Sequence, residues 1–211
     1  MSDFLLPRIY PITDVGLSGL SHREQVEMFA AGGATLIQLR DKTSSPRDFY
    51  EAAVDAIAAA RRLGVMIIIN DRVDVAIAAG ADGVHLGQDD LPAAAARALL
   101  GAGRVIGFST HSPKQAVEAS SWDLDYIAIG PIFRTTTKAD PDPVLGLEPL
   151  REVKRAVNKP LVAIGGITLE SARSVIEAGA DCVSVISDLF SSGDPAARIR
   201  QYLDLLRDPP D

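Results

Sequence analysis

Cysteine is nearly missing from this chain. Cys182 is the only one in 211 residues, so no intrachain disulfide can form and no zinc site can be built from several thiolates. A cytoplasmic location is therefore expected. Long hydrophobic runs are missing too: no stretch approaches the roughly 20 apolar residues that span a bilayer. Residues 1–7 lack a basic start followed by an apolar segment, so neither export nor membrane insertion is expected. A basic patch is also absent. The formal net charge is −7 and the Lys and Arg residues are scattered, which argues against nucleic acid as a partner. In so acidic a chain, an anionic ligand has to be attracted by a local group of cations.

What is present is an alternation. Hydrophobic residues make up 47% and charged residues 23%, ordinary values for a globular protein. Short β-branched runs at 9–13, 35–39, 66–70, 83–86, 105–107, 126–129, 161–164 and 182–186 alternate with Ala-rich amphipathic segments, the pattern of repeated βα units. Helices are expected to begin near Ser21, Pro46, Arg72, Leu91, Pro113, Gly146, Thr168 and Asp194, several of them opened by Ser, Thr, Asp or Pro. Ala-Gly-Ala-Asp or a variant recurs at 31–34, 79–82 and 178–181. In each case it precedes a strand, where Gly ends the helix before it. No G-x-G-x-x-G follows the first strand, so a doubly wound sheet is disfavoured. The expected fold is α/β, a closed parallel (β/α)₈ TIM barrel forming a single domain over residues 1–211.

Barrel chemistry sits at the carboxyl ends of the strands. There, Gln38-Leu39-Arg40-Asp41-Lys42 follows the second strand. The period of two sends Gln38, Arg40 and Lys42 to one side, where forked Arg donors and a Lys ammonium can grip a polyanion. Asn70-Asp71-Arg72 and Gly87-Gln88-Asp89-Asp90 end the next two strands. Asp71 and Asp90 together offer the carboxylates that Mg²⁺ takes, whereas Asp89 is read as structural and not as a metal ligand. Helix capping by Asp90 and an Asp71–Arg72 ion pair are the structural alternatives. The loop Gly130-Pro131-Ile132-Phe133-Arg134-Thr135-Thr136-Thr137-Lys138 brings hydroxyls and an ammonium. Gly165-Gly166 and Ile186-Ser187 stand where such barrels bind phosphate with backbone N–H groups. His85 and His111 are read as structural hydrogen-bonding groups, and His22 as a surface residue.

Taken together, Gln38 to Lys42, Asn70-Asp71-Arg72, Gly83-Val84-His85-Leu86-Gly87-Gln88, Gly107-Phe108-Ser109-Thr110-His111, Gly130 to Lys138 and residues 163–167 resemble the thiamine-phosphate synthase family over almost the whole chain. That resemblance implies a (β/α)₈ barrel that joins hydroxymethylpyrimidine pyrophosphate to a thiazole phosphate, yielding thiamine phosphate and pyrophosphate with Mg²⁺ as cofactor. It assigns pyrimidine pyrophosphate to Gln38, Leu39, Arg40, Asp41, Lys42, Asn70, Ser109 and Lys138. Thiazole phosphate falls to Thr135, Thr136, Thr137, Gly166, Ile186 and Ser187, and Mg²⁺ to Asp71 and Asp90. Arg40, Lys42 and Lys138 would be catalytic, neutralising the departing pyrophosphate. No Ser–His–Asp or reactive-Cys arrangement is seen, and such a dissociative substitution needs no protein nucleophile. Two positions depart from the family: Asp41 where Glu is commoner, and Cys182 where Gly is commoner. The expected partners are small phosphorylated substrates, with a homo-oligomer left open.

Three rivals share the same residues. A thiazole tautomerase uses a related barrel, but the intact Asp71, Asp90 and Lys138 argue against it. An aldolase would take Lys42 or Lys138 as a Schiff-base lysine, and borohydride trapping would reveal one. A non-catalytic phosphate-ligand sensor would fail to turn over the two substrates.

Overall fold

A computed structural model of the chain describes residues 4–135 and 142–207. Its strands are β1 (Ile9–Pro11), β2 (Leu36–Leu39), β3 (Met66–Asn70), β4 (Gly83–Leu86), β5 (Val105–Thr110), β6 (Tyr126–Ile129), β7 (Leu161–Ala163) and β8 (Cys182–Val185). They form one sheet in the order β1-β8-β7-β6-β5-β4-β3-β2 with every ladder parallel. The two ends of that order meet: Ile12 bridges to Gln38, and the Thr13 N–H donates to the Gln38 carbonyl at 2.9 Å. The sheet thus closes into a barrel. All eight expected strands are present, and β5 runs three residues beyond its expected end at Gly107. Ser109 and Thr110 continue the ladder with Ala128 and Ile129, so polar residues that suggest a loop are the rim of a strand.

The helices are α1 (Val15–Ser18), α2 (His22–Ala31), α3 (Pro46–Leu63), α4 (Val73–Ala79), α5 (Ala93–Leu100), α6 (Pro113–Ala119), α7 (Leu147–Ala156), α8 (Leu169–Glu177) and α9 (Pro195–Leu205). Their starts follow the caps. Ser21 and Glu24 make a reciprocal capping box, while Ser45 and Asp194 each cap a helix whose first residue is Pro. One-turn α1 and the 3₁₀ turn Ser187–Phe190 were not anticipated, because four residues carry no periodicity.

The Ala-Gly-Ala-Asp phrase has a structural use in both halves. Gly80, at φ 70°, ends α4 with its N–H on the Ala76 carbonyl. Asp82 and Asp181 then accept the N–H groups of Ile67 and Leu161, each at the start of a neighbouring strand, at 2.7 and 2.8 Å. The carboxylates pin the amino-terminal rim of the barrel, opposite the expected site.

Alternation along the strands divides the core into two layers. Ile67 and Ile69 face the helices, whereas Ile68 packs inside with Tyr10, Leu36, Val105, Tyr126, Ala128, Val162 and Cys182. Phe4 and Leu6 pack against this inner cluster. Tyr126 leans over its register partner Gly107 on β5, so that a Cβ there would lie 2.0 Å from its ring; Gly107 is the space that the phenol occupies.

Candidate active site

Above the inner core lies a cavity of about 960 Å³, lined from the carboxyl ends of the strands. At the end of β2 the period of two holds. Gln38, Arg40 and Lys42 all line the cavity; Arg40 pairs with Asp14 at 3.4 Å and Lys42 with Asp71. The same alternation turns Leu39 the other way. Its side chain is wholly buried in the outer layer against the helices, so Leu39 brings no side chain to the cavity. Asp41 lies at the rim and holds its own turn, accepting the N–H groups of Thr43 and Ser44 at 2.8 and 2.9 Å. Partial burial opposes ionisation there, yet the Ser44 and Thr43 donors pull the carboxyl down to about 2.

His22 is not a surface residue. It is 2% exposed, with Nδ1 at 2.7 Å from Thr13 Oγ1 and Nε2 at 3.7 Å from Asp41, and burial lowers its pKa. Helix α2 begins beneath the mouth, so its first residue faces inward, and position at a helix start does not reveal which face that is.

On β3, Asn70 is 8% exposed and its Nδ2 has no partner. A buried amide donor costs free energy unless something accepts from it, and here the cavity is what it borders. Asp71 follows at φ 62°, with its N–H on the His85 carbonyl at 2.8 Å. Arg72 pairs with Asp74 rather than with Asp71, which leaves Asp71 to face Lys42 and Asp90. Asp90 accepts the Gly87 N–H at 2.7 Å. Its carboxyl is pushed up by burial, and further by the Asp71 charge beside it, against the pull of Gly87 and Lys42. Two neighbouring carboxylates share one ammonium. That donor set suits Mg²⁺, which takes one or two carboxylates and completes its shell with water and phosphate oxygens. Among the described residues no cluster of three or more His, Cys, Asp or Glu could hold a metal by itself.

Across the cavity, Ser109 on β5 and Thr135 after β6 both line the wall. Thr136, Thr137 and Lys138 lie outside the described residues. Gly166 has φ 65°, and a Cβ there would come within 2.3 Å of the Arg134 carbonyl, so the loops after β6 and β7 touch only because residue 166 has no side chain. Ile186 and Ser187 complete the wall. The turn they open is fixed from behind, where Asp188 forms paired 2.9 Å bonds with Arg198 and accepts the Tyr202 hydroxyl at 2.7 Å.

Sequence reasoning read His85 as a structural hydrogen-bonding group, which it is, but missed its tyrosine partners on the inner wall. Tyr10, Tyr126 and His85 link hydroxyl to hydroxyl to imidazole beneath the cavity, and Asp14 holds Arg40. Strand alternation could have marked Tyr10 as inward-facing, since it lies two residues from Ile12 in a strand whose Ile9 faces out.

A family model described as thiamine monophosphate synthase matches residues 9–189. The chain belongs to that family. It is 47% identical over 195 residues to a thiamine-phosphate synthase of Chloroflexus aurantiacus, covering 92% of this chain and 90% of the relative. Against the thiamine-phosphate synthase of Koribacter versatilis it is 46% identical over 212 residues, covering 97% and 98%. The solved structure of a thiamine phosphate pyrophosphorylase from Pyrococcus furiosus superposes with a TM-score of 0.85 at 35% identity, covering 94% of each chain. Membership makes this chain an enzyme, a thiamine-phosphate synthase of the transferase class that acts on phosphorylated small molecules. No helix among the described residues is long and apolar enough to cross a membrane.

Proposed function

We propose that the cavity seats pyrimidine pyrophosphate against the ends of β2 to β5 and thiazole phosphate against the loops after β6, β7 and β8. The whole chain, 1–211, then works as one cytoplasmic barrel domain. Gln38, Asn70 and Ser109 hold the pyrimidine side, and the orphaned Asn70 Nδ2 gains an acceptor there. Thr135, Thr136 and Thr137, with backbone N–H groups near Gly166, Ile186 and Ser187, hold the thiazole phosphate. Asp71 and Asp90 would bind Mg²⁺, which supplies Lewis-acid charge to the diphosphate.

Chemistry follows from where charge develops. As the bond from the pyrimidine's methylene carbon to oxygen breaks, negative charge grows on the departing pyrophosphate. Arg40, Lys42 and Lys138 answer it with positive charge. The pyrimidine ring delocalises the positive charge left behind, and the thiazole nitrogen attacks that carbon. Asp41 keeps the loop that carries Lys42 in place, and Leu39 contributes only its backbone at the rim.

The observation that carries this reading is the group on adjacent strand ends: Lys42 on Asp71, with Asp90 beside them and Arg40 in the same wall. Incubation with both substrates, followed by chromatography for thiamine phosphate and pyrophosphate, tests it. Product should form with Mg²⁺ and vanish with EDTA. Absence of product with both substrates and Mg²⁺ would overturn it.

A further inference from the structure

An unbroken run of hydrogen bonds crosses the inner wall of the barrel. Gln38 Nε2 donates to the Tyr10 hydroxyl at 3.1 Å, and the Tyr10 and Tyr126 hydroxyls meet at 3.1 Å. The Tyr126 hydroxyl lies 2.9 Å from His85 Nδ1, and His85 Nε2 lies 2.8 Å from Ser109 Oγ. The run passes from β2 through β1, β6 and β4 to β5. Its ends, Gln38 and Ser109, line the cavity, whereas Tyr126 does not.

Each phenol has one proton to give, and a neutral imidazole has one donor and one acceptor nitrogen. Donation by Gln38 sets every later link when each hydroxyl donates along the run rather than toward the cavity. Tyr10, having accepted, gives its proton to Tyr126, and Tyr126 gives its own to His85 Nδ1. His85 then carries its proton on Nε2 and donates to Ser109, whose hydroxyl proton is left for the cavity. Burial supports the neutral forms: His85 is 7% exposed, and burial raises both phenols.

We propose that Tyr10, Tyr126 and His85 are positioning residues that polarise this chain, so that the cavity is offered an amide oxygen acceptor at Gln38 and a hydroxyl donor at Ser109. While every hydroxyl keeps its proton within the run, reversing one link reverses them all. The two ends then differ in kind. A ring that carries an amino donor and a ring-nitrogen acceptor is held in one orientation by such a pair, and an aminopyrimidine is a ring of that class. The identity of the ligand rests on the proposed function; the direction of the chain does not.

Tyr126 makes the cleanest test because it does not line the cavity. The chain has three histidines, so ¹⁵N-histidine labelling gives a readable spectrum, with the His85 signals assigned by their loss in His85→Gln. In the unaltered protein His85 should be neutral with its proton on Nε2; a proton on Nδ1 would overturn the direction. Tyr126→Phe deletes one link without adding bulk. It should release the fixed tautomer and raise KM for pyrimidine pyrophosphate about tenfold, as expected for the loss of an oriented hydrogen bond, with KM for thiazole phosphate unchanged. An unchanged pyrimidine KM, or equal rises for both substrates, would refute the coupling. If the unaltered protein made no thiamine phosphate, the proposed function would fail, while the tautomer measurement on the resting protein would still decide the direction of the chain.

Discussion

Replacing Arg198 by Met removes one half of a bidentate ion pair that sits behind the loop after β8. Asp188 accepts four donors: two from the guanidinium at 2.9 Å each, the Tyr202 hydroxyl at 2.7 Å and the Leu169 N–H at 3.3 Å. The side chains are 8% and 13% exposed, so the pair is close to a buried one. Met keeps most of the packing of the Arg stem and leaves the carboxylate with two donors and no cation. Breaking such a pair from one side costs about 3–5 kcal/mol, because the remaining charge is uncompensated. For a chain of this size that is a fall in Tm of roughly 10 °C. Changing Asp188 to Asn in the same molecule removes the stranded charge and keeps an oxygen for Tyr202 and Leu169, so the double variant should regain most of the loss. Urea unfolding of the four proteins of this cycle measures the coupling. The turn Ser187–Phe190 begins at Ser187, so Arg198→Met should also raise KM for thiazole phosphate and spare that for pyrimidine pyrophosphate. A loss under about 1 kcal/mol, the range of exposed pairs, or a double variant no more stable than Arg198→Met, would refute the reasoning.

Asp71→Asn and Asp90→Asn should each cut turnover strongly while the far-UV circular dichroism and the unfolding midpoint stay close to the parent's, since Asn tolerates the positive φ at position 71 and neither side chain belongs to the apolar core; full activity at saturating substrate would remove that residue from the metal site. Arg40→Ala and Lys42→Ala should weaken pyrimidine pyrophosphate in titration calorimetry far more than thiazole phosphate, and equal losses for both ligands would count against the division of the cavity. Lys138→Ala should lower kcat as well as raise KM, by about 2–4 kcal/mol in kcat/KM, the range for deleting one preorganised stabiliser of transition-state charge. An unchanged single-turnover rate would reduce Lys138 to a ground-state contact.

The fold was legible because two short-range signals agree along the whole chain. Eight β-branched runs and the caps at Ser21, Ser45, Thr168 and Asp194 each mark an element boundary without knowledge of its neighbours, and the closed parallel sheet follows from their number and order. The mouth was legible for the same reason. Strand ends are local features, so Gln38, Arg40, Asn70, Asp71, Asp90 and Ser109 could be placed at one face before any contact was known. What was not legible is pairwise. That Arg40 meets Asp14, that Arg72 turns to Asp74 and leaves Asp71 to Lys42, and that His22 lies under the mouth all depend on contacts between elements. The inner wall is of this kind: Tyr10 and Tyr126 are 116 residues apart in the chain and joined by one hydrogen bond.

These pairings bear on how a chain of net charge −7 can receive two phosphorylated ligands. The cations Arg40 and Lys42 do not wait unpaired; each rests on a carboxylate, Asp14 or Asp71. With Arg40 20% and Lys42 53% exposed, such pairs contribute no more than about 1 kcal/mol. Exchanging a carboxylate for a diphosphate, which carries more charge and more acceptor oxygens, is therefore favourable for the cation. It also has a consequence for the partner left behind. On the proposed reading Lys42 turns to the diphosphate, and Asp71 and Asp90 are then left facing each other as like charges beside a partly buried wall, where burial already disfavours ionisation of Asp90. On the proposed reading, that imbalance is what a divalent cation relieves, so the pyrimidine pyrophosphate and Mg²⁺ should strengthen each other's binding instead of binding independently.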